Sequence, residues 1–165
     1  MTDKIYVIGH KSPDTDSVTS AITYANLKNA LGMKEAVPAA AGDINAETKF
    51  LLDHFKVPYP EKLTDATDKK VILVDHNEMA QAVDNLNMEN IVEIVDHHKI
   101  GGLATGKPIF FLNEPVGATG GIIANLYEMN NVPISKEMAG LMMSAILSDT
   151  VLFKSPTCTP RDKTA

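Results

Sequence analysis

Two hydrophobic runs, Lys70-Val-Ile-Leu-Val-Asp75 and Ile91-Val-Glu-Ile-Val-Asp96, constrain what this chain can fold into more than any other feature. Both are close to continuous in β-branched and aliphatic residues instead of alternating with polar ones, which is the pattern of strands covered on both faces and therefore of a parallel sheet. Parallel neighbours need long crossovers, and the remaining sequence supplies elements to build them. Residues 4–9 read as a short strand closed by glycine, and 15–31 as a helix with Val18, Ala21, Ile22 and Ala25 at helical spacing. Residues 36–41 form a weaker strand interrupted by Pro38, Asn45 can cap a helix running to about Lys56, 57–70 read as loop, and 109–112 offer another strand. Two more helices follow, from about Gly117 and from Ser135. The expected architecture is α/β: an open, mostly parallel five-stranded sheet with helices on both faces, whose ligands bind at the carboxyl ends of the strands.

A length of 165 residues, 44% of them hydrophobic, suits one domain with a full core. The net charge of −6 argues against a nucleic-acid polymer or an anionic membrane as partner, so an anionic substrate would need bound cations to attract it. A single cysteine, Cys158, excludes an internal disulfide and any multi-thiolate zinc site. The apolar run near the N-terminus stops at Gly9-His10, too short for a signal peptide or a membrane span, so the expected location is the cytoplasm.

Chemistry-bearing residues collect where the strands end. The first strand runs into Gly9-His10-Lys-Ser-Pro-Asp14-Thr-Asp16-Ser17, and in an extended loop Asp14 and Asp16 would point the same way beside His10. Taken alone, this segment fits equally a helix cap with a surface histidine. The two buried strands end in Asp75-His76-Asn77-Glu78 and Asp96-His97-His98, which meet the first group at one sheet edge. Crowded carboxylates repel one another and call for a cation. Asp149 stands outside the apolar stripe of its helix, at a C-terminus that disfavours negative charge; by itself it reads as an ordinary solvated turn residue. Mixed His and Asp ligands suit two divalent ions sharing a carboxylate, which can activate a water for phosphoryl transfer. Imidazole among oxygens favours Mn²⁺ or Co²⁺ over Mg²⁺.

Together, His10-Lys-Ser-Pro-Asp14-Thr-Asp16-Ser17, Val74-Asp75-His76-Asn77-Glu78, Asp96-His97-His98 and Ser148-Asp149-Thr150 followed by Phe153-Lys-Ser-Pro-Thr157 resemble the family II, manganese-dependent inorganic pyrophosphatases of the DHH phosphoesterase superfamily. The resemblance implies one metal site made of His10, Asp14 and Asp75 and another made of Asp16, Asp75, His97 and Asp149, with Asp75 bridging. It implies that His98 faces the leaving phosphate as donor or proton source, and that Asp96 orients a neighbouring histidine. It further implies pyrophosphate as substrate, two divalent ions with Mn²⁺ preferred and Co²⁺ or Mg²⁺ as substitutes, and a homodimer formed through the edge strand at 109–112. Residues 1–165 would be the metal-binding domain, without the second, substrate-binding domain of such enzymes, so that weak or no turnover is expected of them alone. Two other readings share the residues: another DHH phosphoesterase (an exopolyphosphatase, nucleotide phosphatase or exonuclease), and a non-catalytic metal-binding or dimerisation module.

Overall fold

The computed structural model describes residues 3–165; Met1 and Thr2, part of the N-terminal run read for targeting, lie outside the described residues. Six strands, β1 (Ile5–Ile8), β2 (Ala36–Ala40), β3 (Glu61–Lys62), β4 (Lys70–Val74), β5 (Ile91–Asp96) and β6 (Phe110–Asn113), form one sheet in the order β3-β2-β1-β4-β5-β6, with every neighbouring pair parallel. The α-helices are α1 (Thr15–Ala30), α2 (Ala46–Phe55), α3 (Thr119–Met129) and α4 (Lys136–Asp149). The chain leaves β1 for β2 on one side and later returns to place β4 on the other, so the loops after β1 and β4 diverge and open a crevice at their carboxyl ends.

The sixth strand is the difference from the five expected. It is β3, two charged, exposed residues that pair with Ala39 and Ala40 at the sheet edge and are held there by Lys4–Glu61 (2.8 Å) and Lys62–Asp43 (2.7 Å) ion pairs. A short, charged edge strand has no hydrophobic period to betray it, and it protects the sheet edge from pairing with other chains. Because β3 meets β2 only at those two alanines, Pro38 withdraws no N–H from that pairing.

The strands alternate as period two requires. Ile5, Val7, Ile72, Val74 and Val95 join one buried cluster with residues of all four α-helices, among them Leu27, Leu52, Ile122 and Leu141. Tyr6, Ile8, Val71, Leu73 and Ile94 face the other side, where, in place of the helices expected on both faces, the cover is loop residues such as Ala66 and Leu103 and the 3-10 turn Met79–Gln81. The β4-to-β5 crossover explains this unequal cover, since it carries only the 3-10 turns Met79–Gln81 and Met88–Asn90. A bulge in β5 keeps both faces filled: Val71 pairs with Ile91 and Ile72 with Glu93, so Val92 is skipped. The bulge turns the buried Glu93 toward α1, where Tyr24 donates to it at 2.7 Å and Lys28 at 2.6 Å. Among the described residues no helix is long and apolar enough to cross a membrane.

Candidate metal centre

Every strand of the central trio delivers a polar side chain into the crevice. His10 lies two residues beyond β1, Asp75 directly follows β4, and Asp96 ends β5 with His97 and His98 behind it. Asp75 has φ 63°, a left-handed backbone that costs a non-glycine residue about 1–3 kcal/mol and collects at functional sites. Its amide is retained by the Val95 carbonyl at 3.0 Å, which keeps the turned residue in register with β5. Two elements come in from the helical layer: the N-terminus of α1, with Asp14 and Asp16, and the last residue of α4, Asp149.

The two carboxylate oxygens of Asp75 face two different groups. Oδ2 lies 3.5 Å from His10 Nε2, which is itself 3.4 Å from Asp14 Oδ2. Oδ1 lies 3.3 Å from His97 Nε2, which is 3.5 Å from Asp149 Oδ2 and 3.9 Å from Asp16 Oδ2. These separations exceed those of charge-assisted hydrogen bonds, and they fit ligand atoms gathered around a common centre. Each group offers ligand atoms that all lie within 4.8 Å of one another, and Asp75 belongs to both. Two atoms support the fit to a cation: Asp75 Oδ2 and His97 Nε2 are buried without a hydrogen-bond partner. The His97 Nδ1–H donates to the Val116 carbonyl at 2.9 Å, so Nε2 faces the carboxylates and, on losing its proton to a cation, would offer it a lone pair.

The electrostatics are those of a cation site with protons in the cation's place. Burial would lower the pKa values of His10 and His97, but the carboxylates that face them, Asp14 and Asp75 for His10 and Asp75 and Asp16 for His97, push both up to about 10. Burial, reinforced by Asp75 and Asp14, lifts Asp149 to about 7 against the pull of His97 and His98. Asp16 rises well above the carboxylate range through burial and the charges of Asp75 and Asp149. Asp75 moves the other way: burial raises it, but His10 and His97 more than offset this and hold it well below that range.

The first segment differs from its expected form. Asp14 and Asp16 do not project together from an extended loop. Asp14 is the N-cap of α1, accepting from Ser17 N at 2.9 Å through Oδ1 while Oδ2 faces His10; capping and grouping with His10 therefore coexist in one carboxylate. Asp16 sits in the first helical turn, wholly buried, and belongs to the His97 group instead.

Asp96 holds His98 and not the His97 ring. Its Oδ1 accepts from His98 Nδ1 at 2.8 Å and from the His97 and His98 amides at 2.8 and 3.1 Å. Asp75, His97 and His98 also lie close enough to form a third group, but His98 Nδ1 is 3.8 Å from Asp75 and already engaged by Asp96, which makes it a donor. The His98 pKa is raised by this bond to Asp96, against burial. The ring remains half-exposed at the mouth of the crevice.

Several supports carried no signal in the sequence. The N-terminus of α3 aims at Asp16, with Thr119 N at 2.6 Å and Gly120 N at 2.9 Å, while the Thr119 hydroxyl donates to Asp75 Oδ1 at 3.1 Å. A Cβ on Gly120 would sit 2.8 Å from Ala145 Cβ and 3.1 Å from the Met142 carbonyl, so glycine is what lets α3 approach α4 here. Asn77 donates to Asp96 Oδ2 at 2.5 Å and accepts from the Gly101 amide, tying the ends of β4 and β5 together. Backbone donors leave no residue-type signature, but the Gly-Ala-Thr-Gly-Gly stretch at 117–121 was a visible sign of close packing.

Comparison with known proteins matches residues 4–146 to the DHH family, N-terminal domain. A manganese-dependent inorganic pyrophosphatase of Methanothrix thermoacetophila is 76% identical over 163 residues, covering 99% of this chain and 52% of that protein. A Methanococcus jannaschii structure described as a candidate family II inorganic pyrophosphatase superposes with a TM-score of 0.87 at 45% identity, covering 97% of this chain and 53% of the other. An exopolyphosphatase-related protein of Bacteroides fragilis, at 16% identity and TM-score 0.69 over 98% of this chain and 50% of its own, shares the fold. The chain spans about half the length of the curated relatives it matches.

Proposed function

Since the chain belongs to the DHH family through its N-terminal domain, we propose that it forms the metal-binding part of an inorganic pyrophosphatase, cleaving pyrophosphate to two phosphates with water. The observation that carries this reading is the division of Asp75, one oxygen toward His10 and Asp14 and the other toward His97, Asp149 and Asp16. Those two sets would hold two divalent ions, Mn²⁺ by preference, in keeping with the name of the Methanothrix relative. When bound, such a pair supplies a water of lowered pKa and neutralises phosphate charge.

The chain's own residues supply the rest. His98, oriented through Nδ1 by Asp96, keeps its other ring nitrogen available at the crevice mouth, where it would donate a hydrogen bond or proton to the leaving phosphate. Burial raises the Asp96 pKa, but the bond from His98 itself, followed by those from Asn77 and the His98 amide, holds it below its ordinary value, so that an ionised Asp96 would orient His98. Residues 1–165 alone would turn over weakly, because Asp14 and His98 are each nearly half open to solvent and the crevice does not exclude water.

The β6 edge, with Phe110 and Phe111 exposed, would pair two copies of the chain, and the location would be the cytoplasm. Sedimentation that finds only monomer would remove the dimer from the proposal. The substrate is tested by phosphate release from pyrophosphate, tripolyphosphate and a short oligonucleotide, with Mn²⁺ present. Pyrophosphate should be preferred; preference for tripolyphosphate or the oligonucleotide would replace the reading with a different phosphoesterase.

A further inference from the structure

Apart from Glu93, which binds Tyr24 and Lys28, and Asp96, which holds His98, one buried carboxylate among the described residues lies outside the two metal groups. Asp162 is 3% exposed and lies far along the chain from every strand end, yet both of its oxygens accept from the Gly117 amide at 2.9 Å. Its Oδ2 also accepts from Thr159 N at 2.6 Å and Thr159 Oγ1 at 2.7 Å, which fixes the carboxylate from behind. Gly117 has no room to be anything larger: an added Cβ would meet Thr150 Cγ2 at 2.5 Å and Asp162 Oδ2 at 2.9 Å.

What Gly117 adjoins gives this anchor its meaning. The preceding carbonyl, that of Val116, accepts from His97 Nδ1, and the amides two and three residues beyond Gly117 hold Asp16. One short loop thus sets the ring of His97 and the carboxylate of Asp16, both in the group that includes Asp149. It makes no hydrogen bond to His10 or Asp14, which hang from the β1 loop and the α1 cap, and it reaches the shared Asp75 through the Thr119 hydroxyl at Oδ1, the oxygen on the His97 side.

We propose that Asp162 is a positioning residue for one of the two metal sites, acting through the Gly117 amide to hold His97 and Asp16 in ligating geometry while leaving the His10–Asp14 site alone. The inference rests on the two-ion reading above. A buried charged acceptor on a backbone amide is a strong anchor, and loss of a group that orients a metal ligand typically weakens the metal by about 10–100-fold.

Mn²⁺ binding to the full 165-residue chain tests this in two backgrounds, with circular dichroism to verify the fold. His10→Ala leaves the His97 group as the intact site, and His97→Ala leaves the His10 group. Asp162→Asn should weaken Mn²⁺ by about 10–100-fold in the His10→Ala background and leave affinity unchanged in the His97→Ala background. Arg161→Ala, which removes the neighbouring ion pair to Glu114, should change neither. If Asp162→Asn does not fold, Thr159→Val, which strips one donor from behind the carboxylate, should give the same selectivity with a smaller loss. Equal weakening in both backgrounds, or in neither, overturns the proposal. If the unsubstituted chain binds no Mn²⁺, the two-ion reading itself fails, and that outcome is separate from any failure of selectivity.

Discussion

Replacing Asp75 by asparagine tests the electrostatic account of the metal-free centre, because the substitution keeps the shape and removes only the charge. His97 is held protonated up to about 10 by Asp75 and Asp16, and its ordinary value is 6.5. Extending protonation over that interval corresponds to about 4 kcal/mol at pH 7, as a ceiling for a coupled site. Removing one partner of a buried ion pair costs about 3–5 kcal/mol by a separate route, and the two agree. A folded-state histidine pKa raised above the unfolded one contributes stability that is complete below 6.5 and lost as pH rises through about 10. Asp75→Asn should therefore destabilise the metal-free chain by about 3–5 kcal/mol near pH 6, and the deficit should shrink steadily toward pH 10. Past that point little of it should remain, since the Asp75 charge then repels Asp16 and Asp149 and keeps only the Thr119 hydroxyl as a side-chain donor. Urea unfolding in the presence of a chelator, at pH 6, 7.5, 9 and 10.5, measures the difference directly. A deficit that stays constant over this range would refute the reasoning, because it would mean that packing, and not the charge on His10 and His97, is what Asp75 supports.

Four other outcomes are expected. Mn²⁺ should displace the protons of His10 and His97, so its affinity should rise with pH up to about 10, and proton release on binding should be read by calorimetry in buffers of different ionisation enthalpy. Chelation should lower the melting temperature, since an ion at 100 times its Kd stabilises by about 2.7 kcal/mol; an unchanged melt on adding Mn²⁺ would speak against a folded-state site. If the chain hydrolyses pyrophosphate as proposed, His98→Gln should slow that reaction by about 10²–10⁴-fold with Mn²⁺ affinity retained, whereas a matching loss of affinity would make His98 a ligand. Gly120→Ala should destabilise by about 1–3 kcal/mol through its collision with Ala145 and the Met142 carbonyl, visible in the unfolding midpoint.

The sequence by itself determined the main parallel strands and the sheet edge at which the candidate ligands gather. Strands covered on both faces must be apolar throughout, so 70–74 and 91–95 announce themselves, and whatever follows a parallel strand falls at one edge of the sheet. His10, Asp75 and Asp96-His97-His98 were legible for that reason, and Asp149 became legible once the motifs were taken together. Tertiary structure decided how these residues divide. Asp14 and Asp16 are two positions apart, yet the first turn of α1 sends them to different groups, and the left-handed turn at Asp75 presents an oxygen to each. The supports were equally hidden, because the Val116 carbonyl, the Thr119 and Gly120 amides and the Asp162 anchor act through backbone atoms that every residue possesses. Their meaning comes only from the distance at which the fold sets them, as does the gathering of all four α-helices on one face of the sheet.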